Sequence, residues 1–350
     1  MCDRTGCTAD SGTTKVTSGA PAAGPGGAAT GRPREEVLAR ARRRVGCPSG
    51  DAADWQTRYQ PLIDSVIVHR TVASPRLTVV VVAWRTPDEL PSCLESVRTA
   101  GVPPAEVEVL LVDNGGLEPI RPRLAELVDV EIRMKANVGL CSARNLAAAT
   151  ARAELIAFID DDGVLGSQAL AAALEAFADE RVVAMRGRVV AKRHPYFSAI
   201  PNTYDRGEQI VDTLLDAEGN SAVRRWVFLD AGGFGTETPH EGASLSFRLA
   251  YGTDRRIVYV PGMVLHHDFC DSWHKYFRKS FTRPRRLLKE GAEPEFVAYM
   301  AHEEARPFPR TRRPPAEAAA GFVLRNAMVS IRWSAERLGL LRDTYIETVG

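Results

Sequence analysis

Three adjacent carboxylates, Asp160-Asp161-Asp162, follow directly on the apolar run 155–159. Carboxylates this close repel one another, and placing them beside a buried run costs stability unless a cation or hydrogen-bond donors offset it. Hard oxygen ligands on a tight turn suit Mg²⁺ or Mn²⁺ held together with phosphate oxygens. An ion there would neutralise charge on a departing phosphate group. The competing reading of a bare triplet is a solvated turn beside a helix N-terminus. One of His266 and His267 could complete the coordination, although a lone histidine is more often packed or at the surface.

Other residues could serve the same chemistry. Asp113 ends the run 107–112 and opens the turn Asp113-Asn114-Gly115-Gly116. Its carboxylate could accept from the imide N–H of uracil or from a ribose hydroxyl; the alternative is an Asx-turn. In Asn137-Val138-Gly139-Leu140-Cys141-Ser142-Ala143-Arg144-Asn145, Gly139 permits close backbone approach to a ligand. A helix starting there would favour an anion, and Arg144 offers a planar fork to phosphate or base. The alternative is an ordinary capped helix with a surface arginine. Glu241 stands at the start of a helical pattern whose Leu245 and Leu249 face inward. It suits either a general base or a charge complementing the helix dipole.

These groups need a scaffold, and the hydrophobic pattern supplies one. Residues 77–83 form a β-branched run that reads as a strand buried on both faces. Thr86-Pro87-Asp88-Glu89 has the form of a capping box, leading a helix that buries Leu90, Leu94 and Val97 and ends at Gly101. Further strands are expected over 107–112, 130–134, 155–159, 181–192 and 256–260. Helices are expected over 139–152, 167–178 and 271–282, a helix or loop over 205–217, and a last amphipathic helix over 316–338. Strands alternating with helices imply an α/β fold with a doubly wound, mainly parallel, Rossmann-like sheet. Such sheets bind ligands at the carboxyl ends of their strands, where Asp113 and the aspartate triplet both lie.

Composition sets the limits. The chain has 350 residues, 45% hydrophobic and 25% charged, with net charge +1. That is enough apolar material for one large core or two modest ones. The basic clusters 40–44, 283–286 and 310–313 read as solvated faces, and no nucleic-acid partner is expected. Six cysteines include no CxxC pair, so reduced thiols in a cytoplasmic protein are expected. The longest apolar run, 77–84, is too short to span a bilayer. Residues 1–33 carry almost no large apolar side chain and are expected to be a disordered tail. Residues 34–75 are expected to be a helical lead-in, with a short basic helix over 34–46 and an irregular stretch over 52–75.

Taken in order, these pieces resemble the family 2 glycosyltransferases, inverting enzymes of the GT-A fold. The resemblance covers about 76–285. It rests on the first strand with Cys93-Leu94-Glu95-Ser96, Val112-Asp113-Asn114, Asn137-Val138-Gly139 with Ala143-Arg144-Asn145, and Phe158-Ile159-Asp160-Asp161-Asp162. It continues through Gly219-Asn220, Gly232-Gly233-Phe234, the Glu241, Leu245, Arg248-Leu249 helix, and Val260-Pro261 with His267. The resemblance implies a GT-A domain over 76–268 and a C-terminal helical extension over 269–350. It implies a nucleoside-diphosphate sugar as donor, with UDP preferred, and Mn²⁺ or Mg²⁺ as cofactor. By the same resemblance Asp113 reads the uracil, Arg144 contacts the nucleotide, and Asp160 is the ribose-side carboxylate of a DxD motif. Asp161 is the variable middle position on the donor side, Asp162 the metal ligand, His267 a neighbour of metal or diphosphate, and Gly219-Asn220 the acceptor side.

The sequence departs from that family in two places. The family usually has Glu-Asp where this chain has Glu241-Gly242, and the missing aspartate is the usual catalytic base; Ser244 also replaces a common second Asp. Either Glu241 has taken the base role, or the acceptor is nucleophilic enough to need little help, or the chain binds donor without efficient turnover. Arg85 stands where the family often has Asn. Two other functions compete with an inverting transferase: a non-catalytic nucleotide-sugar-binding module, and a sugar-phosphate nucleotidyltransferase. The last needs a Gly-rich basic loop after the first strand, which Trp84-Arg85-Thr86-Pro87 lacks. The acceptor is open among lipid carrier, glycan, peptide and natural product. The helix bearing Trp273, Lys275, Tyr276, Phe277, Arg278 and Lys279 could rest on the inner membrane face if the acceptor is lipid-linked. The expectation is instead that Trp273 and Phe277 pack on the core.

Overall fold

The computed structural model describes residues 32–48, 52–236, 240–284, 289–307 and 313–342. The expected tail over 1–33 therefore lies outside the described residues except for Arg32 and Pro33. Among the described residues there are ten strands: β1 (Ile63–Val68), β2 (Leu77–Ala83), β3 (Val107–Asp113), β4 (Val130–Met134), β5 (Leu155–Asp160), β6 (Val164–Leu165), β7 (Val182–Val190), β8 (Val211–Asp212), β9 (Asn220–Arg224) and β10 (Arg256–His266). They form one sheet in the order β1-β4-β3-β2-β5-β9-β7-β10-β6, with β8 pairing β10. The block β4-β3-β2-β5 is parallel, as is the β7–β10 pair. Strand β9 runs antiparallel between β5 and β7 and joins the two blocks.

Burial explains why β2 has no polar face. Side chains alternate across a strand, so Val79 and Val81 enter one core while Val80 and Val82 enter the other. The first core packs against helices Leu90–Arg98 and Ala169–Ala176; the second against Leu140–Thr150, Arg225–Asp230 and Glu241–Ala250. Each fully buried Val or Leu contributes about 1.5–3 kcal/mol of transfer free energy. The fold is thus the expected doubly wound α/β sheet, with helices Trp273–Ser280, Pro294–Ala305 and Pro315–Arg337 at its C-terminal end.

Several elements differ from expectation for identifiable reasons. Residues 52–75 are not irregular: helix Ala52–Tyr59 buries Trp55 and Tyr59, and β1 adds antiparallel to β4. The alternation of β1 is hidden in the sequence because its outward face carries Val66 and Val68, 51% and 60% exposed. The stretch 205–217 holds no helix, only the two-residue β8. Helix Pro294–Ala305 was not read from the sequence; Pro294 sits in its first turn, and Phe296 and Met300 pack on Val37, Leu38 and Phe247. Arg32 and Arg44 are not merely solvated: they pair with Glu295 and Glu293 and tie helix Arg34–Arg44 to that helix. The expected packing of Trp273 and Phe277 is found only in part: Trp273 stands edge-on to Phe197 at 5.2 Å, yet neither side chain is buried. Helix Trp273–Ser280 turns Tyr276 and Ser280 inward, and the i, i+4 pair Trp273 and Phe277 lies beside them at the margin of that face, 58% and 49% exposed.

The capping box at Thr86–Glu89 is also absent. The helix begins at Leu90, with Glu89 at the cap position and no side-chain cap bond. Both side chains are used elsewhere. Thr86 donates to the Asp161 carboxylate, and Glu89 takes ion pairs from Lys192 and Arg193.

Candidate active site

The carboxyl end of β5 builds the site. Asp160 is its last residue, and Gly163 N–H donates to the Asp160 carbonyl at 3.0 Å to close a tight turn. Asp160 N–H donates to the Gly219 carbonyl in the turn that leads into adjacent strand β9, at 2.9 Å. A Cβ built on Gly219 would fall 1.9–2.0 Å from the atoms of the Asp160 carboxylate, so only glycine lets that carboxylate lie where it does. Arg144 Nη2 then donates to Asp160 Oδ1 at 2.9 Å. The guanidinium is buried near the rings of Phe158 and Phe234, and its Nη1 is 3.8 Å from Glu241 Oε1. Arg144 therefore links the β5 end to the start of helix Glu241–Ala250.

The three aspartates part company. Asp160 and Asp162 converge with His267, and their ligand atoms all lie within 4.8 Å of one another. His267 Nε2 is 3.2 Å from Asp162 Oδ1. Burial alone would raise the Asp162 carboxyl, but the His267 hydrogen bond and charge, with Lys275 and Lys279, hold it down to about 2. Burial would likewise lower His267, and Asp162 and Asp160 raise it instead. Asp161 turns away toward β2, where its Oδ2 accepts from Trp84 N–H and from the Thr86 hydroxyl. Burial pushes its carboxyl up to about 7, with the charges of Asp162 and Asp160 adding to the rise. It fastens the turn to the end of β2.

Two carboxylates and one imidazole at this separation form a donor set that fits Mn²⁺ or Mg²⁺, leaving further positions for water and phosphate oxygens. Positive charge surrounds them. Lys275 Nζ is 3.9 Å from Asp162 Oδ2, and Lys192 Nζ donates to the Asp162 carbonyl at 3.0 Å. Burial lowers the Lys279 ammonium nearby, with Asp162 and Asp160 among the charges acting on it. Asp268 fixes the Lys192 turn by accepting from the N–H groups of Lys192, Arg193 and His194. A cavity of about 110 Å³ opens beside the trio, walled by Asp160, Tyr204, Glu218, Gly219, Asn220 and His267 among others.

The remaining expected residues fall as follows. Asp113 ends β3, separated from β5 by β2 along the same edge. Its Oδ1 accepts from Gly115 N–H at 2.9 Å, the Asx-turn weighed above, and its Oδ2 from Arg121 at 3.0 Å. Asn114 and Asn137 bond each other and hold the loop before Gly139, whose φ is +80°. Arg85 adopts φ +58°, a left-handed conformation that Asn tolerates better than Arg. The Asn220 amide faces the sheet: Nδ2 donates to the carbonyls of Arg188 and Met263, holding the register shift in β10 between Val260 and Val264. His266 is exposed on β10. Glu241 is 1% exposed. Sequence reasoning missed Thr86, Lys192, Asp268 and Glu218; of these, only Asp268 beside His267 and Glu218 beside Gly219 carried a positional signal.

The sequence model of glycosyl transferase family 2 matches residues 78–228. No curated protein matches the chain. Among solved structures, the mannosyltransferase PcManGT from Pyrobaculum calidifontis, in complex with GDP-Man and Mn²⁺, is similar at 18% identity and a TM-score of 0.50, covering 87% of this chain and 87% of its own. TarS 1–349 of S. aureus, in complex with UDP-GlcNAc, is similar at 14% identity and a TM-score of 0.49, covering 74% and 73%. At such identity the first likeness speaks for the fold alone. The sheet is a GT-A sheet, and residues 78–228 within it are similar to glycosyl transferase family 2.

Proposed function

We propose that the protein transfers a sugar from a nucleoside-diphosphate donor to an acceptor with inversion at the anomeric carbon, in a metal-dependent reaction. The observation that carries this reading is the convergence of Asp160, Asp162 and His267 at the end of β5, ringed by lysines. Asp160, Asp162 and His267 would hold Mn²⁺ or Mg²⁺, which when bound supplies charge neutralisation on the leaving diphosphate. Lys192 and Lys275 add fixed positive charge where that diphosphate would depart. Arg144 orients Asp160 from behind, and the Asp113 turn is the proposed nucleoside end, with UDP the preferred base. The reaction is a single in-line displacement, in which the acceptor attacks from the face opposite the diphosphate.

The test is thermal shift with Mn²⁺ or Mg²⁺ and a panel of nucleoside diphosphates, UDP-GlcNAc and GDP-Man. A ligand at ~100 times its dissociation constant adds about 2.7 kcal/mol, which is readily seen. A shift present only with metal is the expected result. No shift with any member of the panel would sink the donor reading.

A second reading, a nucleotide-sugar-binding module without turnover, is favoured by Gly242. A Cβ there would fall 1.9 Å from the Leu215 carbonyl oxygen, so the usual aspartate has no room. Donor binding with no release of nucleoside diphosphate would support it.

Peripheral membrane contact belongs to this proposal as well. Trp273 and Phe277 are exposed apolar side chains, and so are Phe322, Val329 and Trp333 on the helix whose Leu324 carbonyl Tyr276 bonds. Arg278 and Arg337 on the same two helices are exposed. No helix among the described residues is long and apolar enough to cross a membrane. The protein is expected to float with vesicles of anionic phospholipid, and W273S/F277S to remain behind. A native protein that stays in the bottom fraction would rule this contact out.

A further inference from the structure

The acid that the family places after Glu241 is missing, and the structure shows what stands in its space. A Cβ on Gly242 would lie 2.3 Å from Glu218 Oε1. That oxygen accepts from Gly242 N–H at 3.1 Å, so the Glu218 carboxylate rests on the first turn of helix Glu241–Ala250. It reaches this place from another element, the turn that leads into β9. Glu218 is half-buried and lies in the wall of the cavity that Asp160 and His267 also line. Glu241 differs: it is 1% exposed, packed toward Arg144, and not part of that wall. A base must meet the proton it removes, so access separates the two carboxylates.

We infer that Glu218 is the general base of this transferase, supplying from the β9 turn the carboxylate that position 242 lacks. The inference rests on the donor reading above. In the step, an acceptor oxygen bonds to the anomeric carbon as its proton passes to the Glu218 carboxylate. The bond from that carbon to the diphosphate oxygen breaks, and the nucleoside diphosphate leaves with the electron pair. Glu241 is then a positioning residue, set against Arg144 and through it against Asp160. The same geometry explains the glycine. A side chain at 242 would displace Glu218 and meet the Leu215 backbone, so Gly242 and Glu218 form one arrangement.

The experiment uses the full chain with Mn²⁺, UDP-GlcNAc and GDP-Man as donors, and water as acceptor, reading nucleoside diphosphate release beside donor-induced thermal shift. Glu218→Gln keeps an oxygen to accept from Gly242 N–H, so its fold and its donor shift should match the native protein. Its release rate is expected to fall about 10²-fold or more. Glu218→Ala should fall equally, and added formate, a carboxylate small enough for the vacated space, should restore about tenfold or more of that loss. Release by Glu218→Gln within about threefold of native would overturn the assignment, since a base contributes ~10²–10⁴. So would an alanine variant that formate leaves unchanged, or a native protein that binds donor yet releases no diphosphate. Absence of any metal-dependent donor shift in the native protein would instead defeat the donor reading.

Discussion

Asp162→Ala is expected to lose metal-dependent donor binding and turnover together. Asp162 is one of three groups whose ligand atoms converge within 4.8 Å, and alanine leaves only Asp160 and His267. Even partners behind a metal ligand cost 10–100-fold in affinity when removed, so loss of a ligand itself should cost about 100-fold or more. The substitution also strips His267 of its ion pair at 3.2 Å and leaves Lys275 facing one fewer carboxylate. The site would then hold excess positive charge. Charge alone still attracts a nucleoside diphosphate, so the decisive reading is the metal dependence of the thermal shift. A variant whose donor shift still rises with Mn²⁺ as in the native protein would remove Asp162 from the site.

Two carboxylates of this site could be placed from sequence because they end strands. Asp113 and Asp160 close long apolar runs, and a parallel sheet brings all such ends to one edge. The split of the aspartate triplet could not be read. Adjacent carboxylates look alike on paper, and only the turn decides that Asp161 latches to Thr86 and Trp84 while Asp160 and Asp162 converge. Thr86 and Glu89 misled for the same reason. Their spacing satisfies a capping box, but long-range partners at Asp161, Lys192 and Arg193 offered stronger, charge-assisted bonds than a backbone cap. Asn220, which the resemblance puts on the acceptor side, has its amide drawn into the bulge of β10, a tertiary contact that no local pattern announces. Glu218 carried a signal only in standing beside Gly219, since nothing in the chain shows that residue 218 meets residue 242. Edge strand β1 escaped because exposed Val66 and Val68 erased its alternation.

Gly219→Ala should be the most damaging change of a single methyl group at the site. The glycine is not there for backbone freedom, because its φ is not in the left-handed region. It is there for space: the added Cβ would stand 1.9–2.0 Å from the Asp160 carboxylate, far inside van der Waals contact. Relief requires either Asp160 or the β9 backbone to move. The backbone is held by the Asp160–Gly219 bond at 2.9 Å and by pairing of Asn220 with Ile159, so the side chain is the part that yields. A displaced carboxylate gives up Arg144 at 2.9 Å and leaves the trio with Asp162 and His267. Overpacking of this kind costs about 1–3 kcal/mol, a loss that a domain stable by about 5–15 kcal/mol survives. The variant is therefore expected to fold with a Tm lower by several degrees, at about 2–4 °C per kcal/mol. Its metal-dependent donor shift should be absent, because the methyl acts on a ligand and not on the core. An unchanged donor shift at an unchanged Tm would mean that the Asp160 carboxylate does not rest on Gly219, and the metal trio built on that seat would fall with it.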